Sequence, residues 1–225
     1  MLSVSLTQKV SLFQGEHAKK GDLFRGQERW WTVSFIGEHL SDAGGGFRET
    51  VSNLSDDLNS DRTDLMIPTP NHVHEAGNLR NAWMPNPGCV DFAQFEFVGR
   101  LMAGAIQTQE NIVVAWPPFV WQLLAGYSPT EQEYAASIDL SVATYADIGS
   151  CSADEFELQY EDIFSFEITR SDGVVHDLLP AAETPSGGDV AVTFENRHDF
   201  IAAAVEARLG EIVSLRLRWF RLHWI

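Results

Sequence analysis

Cysteine is scarce in this 225-residue chain, where Cys89 and Cys151 are the only two. Two thiols cannot make a disulfide framework, so the composition points to a reducing, cytoplasmic setting. Long apolar runs are missing as well, and none approaches the ~20 residues a bilayer-crossing helix needs. The first twenty residues, MLSVSLTQKVSLFQGEHAKK, lack the basic start and long apolar stretch of a secretory signal. Basic residues are outnumbered, 15 against 32 acids, giving a formal net charge of −17. Self-repulsion on that scale disfavours nucleic acid and anionic membrane as main partners. Internal repeats and low-complexity tracts are also absent.

What remains is the profile of a folded protein, with 44% hydrophobic and 21% charged residues. The chain is long enough to bury a substantial core as one large domain or two small ones. Its negative charge is concentrated: Glu131, Glu133, Asp139, Asp147, Asp154, Glu155, Glu157, Glu161, Asp162 and Glu167 follow one another without an intervening Lys or Arg. Such a run is either a solvated face or a docking face for a basic protein partner.

Hydrophobic spacing supplies the elements. Trp31, Val33 and Phe35 alternate with Thr32, Ser34 and Ile36, a strand ending at Gly37. After the loop Asp42-Ala43-Gly44-Gly45-Gly46, Phe47, Val51, Leu54 and Leu58 recur at helical spacing. Residues 60–88, rich in Pro, Asn and Asp, read as a long irregular loop. Asp91 is placed to cap a helix striped by Phe92, Phe95, Val98, Met102 and Ile106. On that helix Gly99 and Gly104 predict another backbone packed very close, because each glycine costs about 1 kcal/mol in a helix. A short strand is expected over Ile112–Trp116, then a helix with Pro118 in its first turn. Phe164, Phe166 and Ile168 alternate ahead of the Ser171-Asp172-Gly173 turn, with Val174 to His176 returning as a second strand. Val190, Val192 and Phe194 predict one more strand, and Asn196 a cap for the helix carrying Phe200, Ile201, Ala204, Val205 and Leu209. Helices and short strands without a βαβ rhythm define an α+β fold, mainly helical with short strands and hairpins.

Three of these segments, taken in order, resemble the HECT-type ubiquitin-protein ligase family. Trp31-Thr32-Val33-Ser34-Phe35-Ile36-Gly37-Glu38, followed by Asp42-Ala43-Gly44-Gly45 and Phe47-Arg48-Glu49, is similar to the family's opening strand, Asp-x-Gly-Gly turn and Arg-Glu helix. Phe95 to Ile106, FEFVGRLMAGAI, resembles its central helix. Val192 to Phe200, VTFENRHDF, is similar to a strand leading into an Asn-Arg helix start. Asp42-Ala43-Gly44-Gly45 and Trp83-Met84-Pro85-Asn86-Pro87 look closest to the giant members that also carry RCC-type repeats. The resemblance implies a partial HECT N-lobe over residues 30–210, preceded by a weakly patterned lead-in over 1–29 and followed by an atypical tail over 211–225.

The family's mechanism is implied by the resemblance alone. A cysteine on a mobile C-terminal lobe accepts ubiquitin from a conjugating enzyme as a thioester and passes it to a substrate lysine. The conjugating enzyme docks on a small helical subdomain of the later N-lobe. Neither that subdomain nor a Thr-Cys-Phe-like motif is found here, so the chain is expected to form no ubiquitin thioester by itself. Gly210 predicts a helix stop where the family continues its helix, and the tail is expected to stem from a frameshift, a retained intron or a truncated gene. With part of the lobe lacking, apolar surface is left uncovered and stability is expected to be marginal.

No residue is assigned as catalytic, cofactor-binding or metal-binding, and no cofactor is expected. The glycines of Asp42–Gly46 are followed by neither Gly-Lys-Ser/Thr nor a Gly-x-Gly-x-x-Gly spacing, so a structural turn is favoured over a phosphate cradle. His72, His74 and Glu75, with Cys89 further on, are metal-ligand types without paired ligand spacing, so a solvent-exposed loop is favoured. A Cys-His nucleophile pair has no local support at Cys89 or Cys151, and both read as small packing or loop residues. Glu38, Arg48 and Glu49 read as architectural ion-pairing groups, Arg48 and Glu49 within the N-lobe. The alternative to a ligase fragment is a catalytically inactive interaction module using the acidic face of residues 131–167.

Overall fold

The computed structural model describes residues 45–180 and 186–219, with side chains through Ile212. The strand expected over Trp31–Gly37, Glu38, the Asp42–Gly44 part of the turn and residues 220–225 lie outside the described residues. The fold is α+β, mainly helical, and divides into two units.

Among the described residues the first unit comprises residues 45–66 and 89–115. Helix α1 (Gly45–Leu58) buries Phe47, Val51, Leu54 and Leu58, the stripe its sequence predicts. Helix α3 (Phe92–Thr108) starts at Asp91, whose carboxylate accepts from the backbone N–H groups of Ala93 and Gln94 and from the Gln94 side-chain amide. Its buried stripe is rotated from the expected one. Phe95, Val98, Leu101 and Ala105 are buried, whereas Phe92 lies at the edge and Ile106 is 72% exposed. The close backbone approach expected at Gly99 is absent, since a Cβ there would meet nothing within 4 Å; Gly104 is buried.

The strand expected over Ile112–Trp116 does not form. Asn59, just after α1, holds this extended segment with its side chain, donating to the Val113 carbonyl at 2.8 Å and accepting from the Ala115 N–H at 2.6 Å. Ser55 Oγ accepts from the Val113 N–H at 3.2 Å. Side chains at and just beyond the end of a helix thus supply what a neighbouring strand would.

The second unit comprises residues 67–88, 116–180 and 186–219 among those described. Residues 60–88 are not the irregular loop the composition suggests. Strand β1 (Met66–Pro68) pairs with β2 (Trp83–Pro85), and a single helical turn α2 (Pro70–Val73) sits between them, capped by Thr69. Met84 and Asn71 are buried there. The Asn71 N–H donates to the Ile138 carbonyl at 2.9 Å, and its side-chain oxygen accepts from the Leu140 N–H at 2.7 Å.

Helices α4 (Pro118–Leu124), α5 (Glu131–Ser137), α6 (Ala143–Ser150) and α7 (Ala153–Gln159) follow, with Pro118 in the first turn of α4 as expected. The long helix α8 (Arg197–Trp219) packs against α4, α5 and α6. Phe200 near its start touches the rings of Tyr145, Phe164 and Phe166, each 5.8 Å away between centroids. Four aromatic side chains meeting at one buried point give this unit its core.

Strands β3 (Glu167–Thr169) and β4 (Val175–Asp177) form an antiparallel hairpin with Ile168 opposite His176. Gly173 at φ +81° makes the turn, as Ser171-Asp172-Gly173 predicts. The strand expected over Val190–Phe194 shrinks to one bridge, Ala191 opposite Ser165. Asn196 ends it: its side chain accepts from the Thr193 N–H at 2.7 Å and donates to the Ala191 carbonyl at 3.1 Å. That orientation also corrects the expected cap, because the Asn196 side chain faces back along the chain and only its backbone carbonyl accepts the first helical bonds, from Asp199 and Phe200. Nor does Gly210 stop the helix, which runs on to Trp219; Glu211 and Ile212 are buried just after it and hold the segment helical.

Candidate functional site

The thiols are the first test of chemistry. Cys89 is buried, and that burial, together with the carboxylates of Asp91 and Asp64, pushes its thiol above the ordinary cysteine range despite an opposing backbone hydrogen bond at Asp91. A raised pKa keeps a thiol protonated and unreactive at neutral pH. Cys151, half-buried after α6, points its Sγ at the Ile148 carbonyl at 3.1 Å. Both environments are those of packing residues.

The two histidines of the His72–Glu75 segment sit in separate surroundings. His72 donates from Nδ1 to the Ala82 carbonyl at 3.1 Å and meets Trp83 edge-on at 5.5 Å. His74 is exposed at the end of α2. Among the described residues no group of three His, Cys, Asp or Glu side chains is placed to hold a metal ion. Arg48 and Glu49 are exposed on the first turn of α1, and no ion pair joins either to another described residue.

The acidic run resolves into three kinds of carboxylate. Glu133 and Glu155 close capping boxes at the starts of α5 and α7, where the N–H groups of Thr130 and Ser152 hold each carboxyl below its usual range. Glu131, Asp147, Asp154, Glu157, Glu161, Asp162 and Glu167 are exposed. Asp139 is neither: it is buried and belongs to the interior.

Its partner is Arg208 of α8, a residue that hydrophobic spacing and motif do not single out. The Arg208 guanidinium lies 3.7 Å from Asp139 and 3.3 Å from Glu211, and all three side chains are at most 12% exposed. Glu211 also accepts from the Ser171 N–H at 3.0 Å, which ties the β3–β4 turn to α8. Burial, reinforced by the charges of Glu211 and Asp139, pushes the nearby Tyr134 hydroxyl far above the usual tyrosine range. Two acids and one guanidinium in this setting form a structural clasp. Sequence spacing could not reveal it, since its members come from a turn after α5, from α8 and from a hairpin.

Residues 48–222 match the model of the HECT-domain (ubiquitin-transferase) family, and the chain belongs to that family. Over 194 residues it is 29% identical to the E3 ubiquitin-protein ligase HERC2 of Mus musculus and, equally, of Homo sapiens; the match covers 81% of this chain and 4% of either relative. Over 188 residues it is 28% identical to the probable E3 ubiquitin-protein ligase TOM1 of Eremothecium gossypii, covering 84% of this chain and 6% of that one. The chain therefore spans a small fraction of the length of the curated relatives it matches.

Proposed function

We propose that this chain serves as N-lobe scaffold in a HECT-type ubiquitin-protein ligase of the giant RCC-repeat branch, acting with a ubiquitin-conjugating enzyme and ubiquitin in the cytoplasm. The observation that carries the reading is the family match over residues 48–222, and the HERC2 relatives support the branch. In the full domain a separate cysteine takes ubiquitin as a thioester and delivers it to a substrate lysine. The residues described here supply the packed frame for that transfer and none of its chemistry. No described helix is long and apolar enough to cross a membrane.

The test is incubation of the chain with activating enzyme, conjugating enzyme, ATP and ubiquitin. No thiol-reducible ubiquitin adduct is expected on Cys89 or Cys151; an adduct on either refutes the scaffold role. A second reading, an interaction module, is favoured by one observation: nine of the ten acids between Glu131 and Glu167 are exposed. It predicts a complex with a basic protein partner that weakens steeply as salt rises through the physiological range.

A further inference from the structure

The cationic residues change identity along the chain. The first three are Lys9, Lys19 and Lys20; the remaining twelve, from Arg25 to Arg221, are all arginine. The described residues therefore carry no lysine at all. A chain-wide preference for arginine would have removed the first three lysines too.

Geometry accounts for only some of the arginines. Arg208 bridges two buried carboxylates, and Arg197 stacks 3.6 Å above the Phe194 ring while donating to the Phe194 carbonyl, roles that use a flat, multi-donor guanidinium. Arg62 is different. It is 58% exposed and makes one 3.5 Å contact with Asp57, which an ammonium would make as well. Arg48 is exposed with no ion pair among the described residues, and Arg80 is exposed with one bond, from Nε to the Gly77 carbonyl at 3.1 Å. Packing does not demand arginine at these three sites. What separates the two residues there is reactivity: a lysine amine can lose its proton and act as a nucleophile, whereas guanidinium stays protonated at any physiological pH.

Resting on the ligase reading above, we infer that the described surface, residues 45–180 and 186–212, is built without ubiquitin acceptors, so that ubiquitination of this chain falls on Lys9, Lys19 and Lys20. In that step the free-base ε-amine attacks the carbonyl carbon of the thioester between ubiquitin and an enzyme cysteine. A C–N bond forms, the C–S bond breaks, the sulfur leaves as thiolate, and the amine releases one proton. A domain held next to an activated thioester is the nearest target for that reaction, and a surface of arginines offers it nothing to attack.

The experiment presents the full chain in trans to activating enzyme, conjugating enzyme, an intact HECT ligase and ubiquitin, with Gly-Gly remnants mapped by mass spectrometry. The wild-type chain is expected to carry remnants at one or more of Lys9, Lys19 and Lys20. The Lys9→Arg/Lys19→Arg/Lys20→Arg variant is expected to lose at least tenfold of the modification, and adding Arg80→Lys to it to restore a remnant at residue 80. Near wild-type modification of the triple variant through hydroxyl or thiol groups of residues 45–219 overturns the inference. So does an unmodified wild-type chain, or an Arg80→Lys variant that stays unmodified. Because the added ligase performs the transfer, these outcomes are separate from a thioester on Cys89 or Cys151, which bears on the scaffold reading alone.

Discussion

Replacing Arg208 by methionine would expose the energetics of the buried clasp. Methionine keeps an unbranched apolar stem of similar length, so packing of α8 against its neighbours is largely preserved. What is removed is the cation that sits 3.7 Å from Asp139 and 3.3 Å from Glu211, both with side chains at most 5% exposed. Two carboxylates are then left in the interior without a counter-charge. Breaking a buried pair in this way costs about 3–5 kcal/mol, a large part of the ~5–15 kcal/mol that holds a domain folded. For a chain of this size that corresponds to a midpoint lower by roughly 10 °C. Glu211→Gln is the milder companion. It keeps an oxygen for the Ser171 N–H and leaves Arg208 paired with Asp139, so its cost is about 1–2 kcal/mol. Urea denaturation followed by tryptophan fluorescence, with Trp83 and Trp116 in the same unit as reporters, measures both variants. If Arg208→Met lies within ~1 kcal/mol of the wild type, the cluster behaves as a solvated surface pair and the clasp described above is wrong.

Two other outcomes follow from the same unit. Asn71→Ala removes the acceptor of the Leu140 N–H and is expected to cost about 1–3 kcal/mol by the same urea assay, with an effect below 0.5 kcal/mol counting against that bond. On the alkaline side, Tyr134 and Tyr145 both have folded-state pKa values raised, chiefly by burial. The unfolded chain releases these protons first, so stability is level below about pH 10 and falls above it by up to ~1.4 kcal/mol per pH unit for each tyrosine. Tyr134→Phe should flatten that fall relative to the wild type in a pH series of urea titrations.

The helices were the legible part. Phe47, Val51, Leu54 and Leu58 lie on one face because a helix repeats every 3.6 residues, and all four are buried. The Ser171-Asp172-Gly173 turn was legible for a similarly local reason, a glycine where the chain needs positive φ. What stayed hidden depended on partners far away in sequence. Strands β1 and β2 are three residues each, too short to show a period, and the segment holding them was rich in turn formers. The extended run Val113–Ala115 is fixed by asparagine and serine side chains, a pairing no alternation pattern encodes. Asp139 reads in sequence as one more member of an acidic face; only α8, 69 residues later at Arg208, reveals it as an interior group. Gly99 and Gly210 sit inside their helices without a close backbone neighbour or a stop, since a glycine inside a helix is tolerated wherever neighbouring side chains supply enough burial.

The asparagines that stand in for strands carry a cost in chemical ageing. Asn59 and Asn196 each use both ends of the side-chain amide, one donating and one accepting, to hold a length of backbone that has either no ladder of its own or a single bridge. Hydrolysis of that amide exchanges one NH2 for an oxygen, and the resulting carboxylate can only accept. The donated bonds, from Asn59 to the Ser55 and Val113 carbonyls and from Asn196 to that of Ala191, are the ones lost, while the accepted bonds survive. A single-atom exchange would therefore loosen one strut of each unit without touching a hydrophobic contact, so the durability of this scaffold is set by amide chemistry as well as by its core.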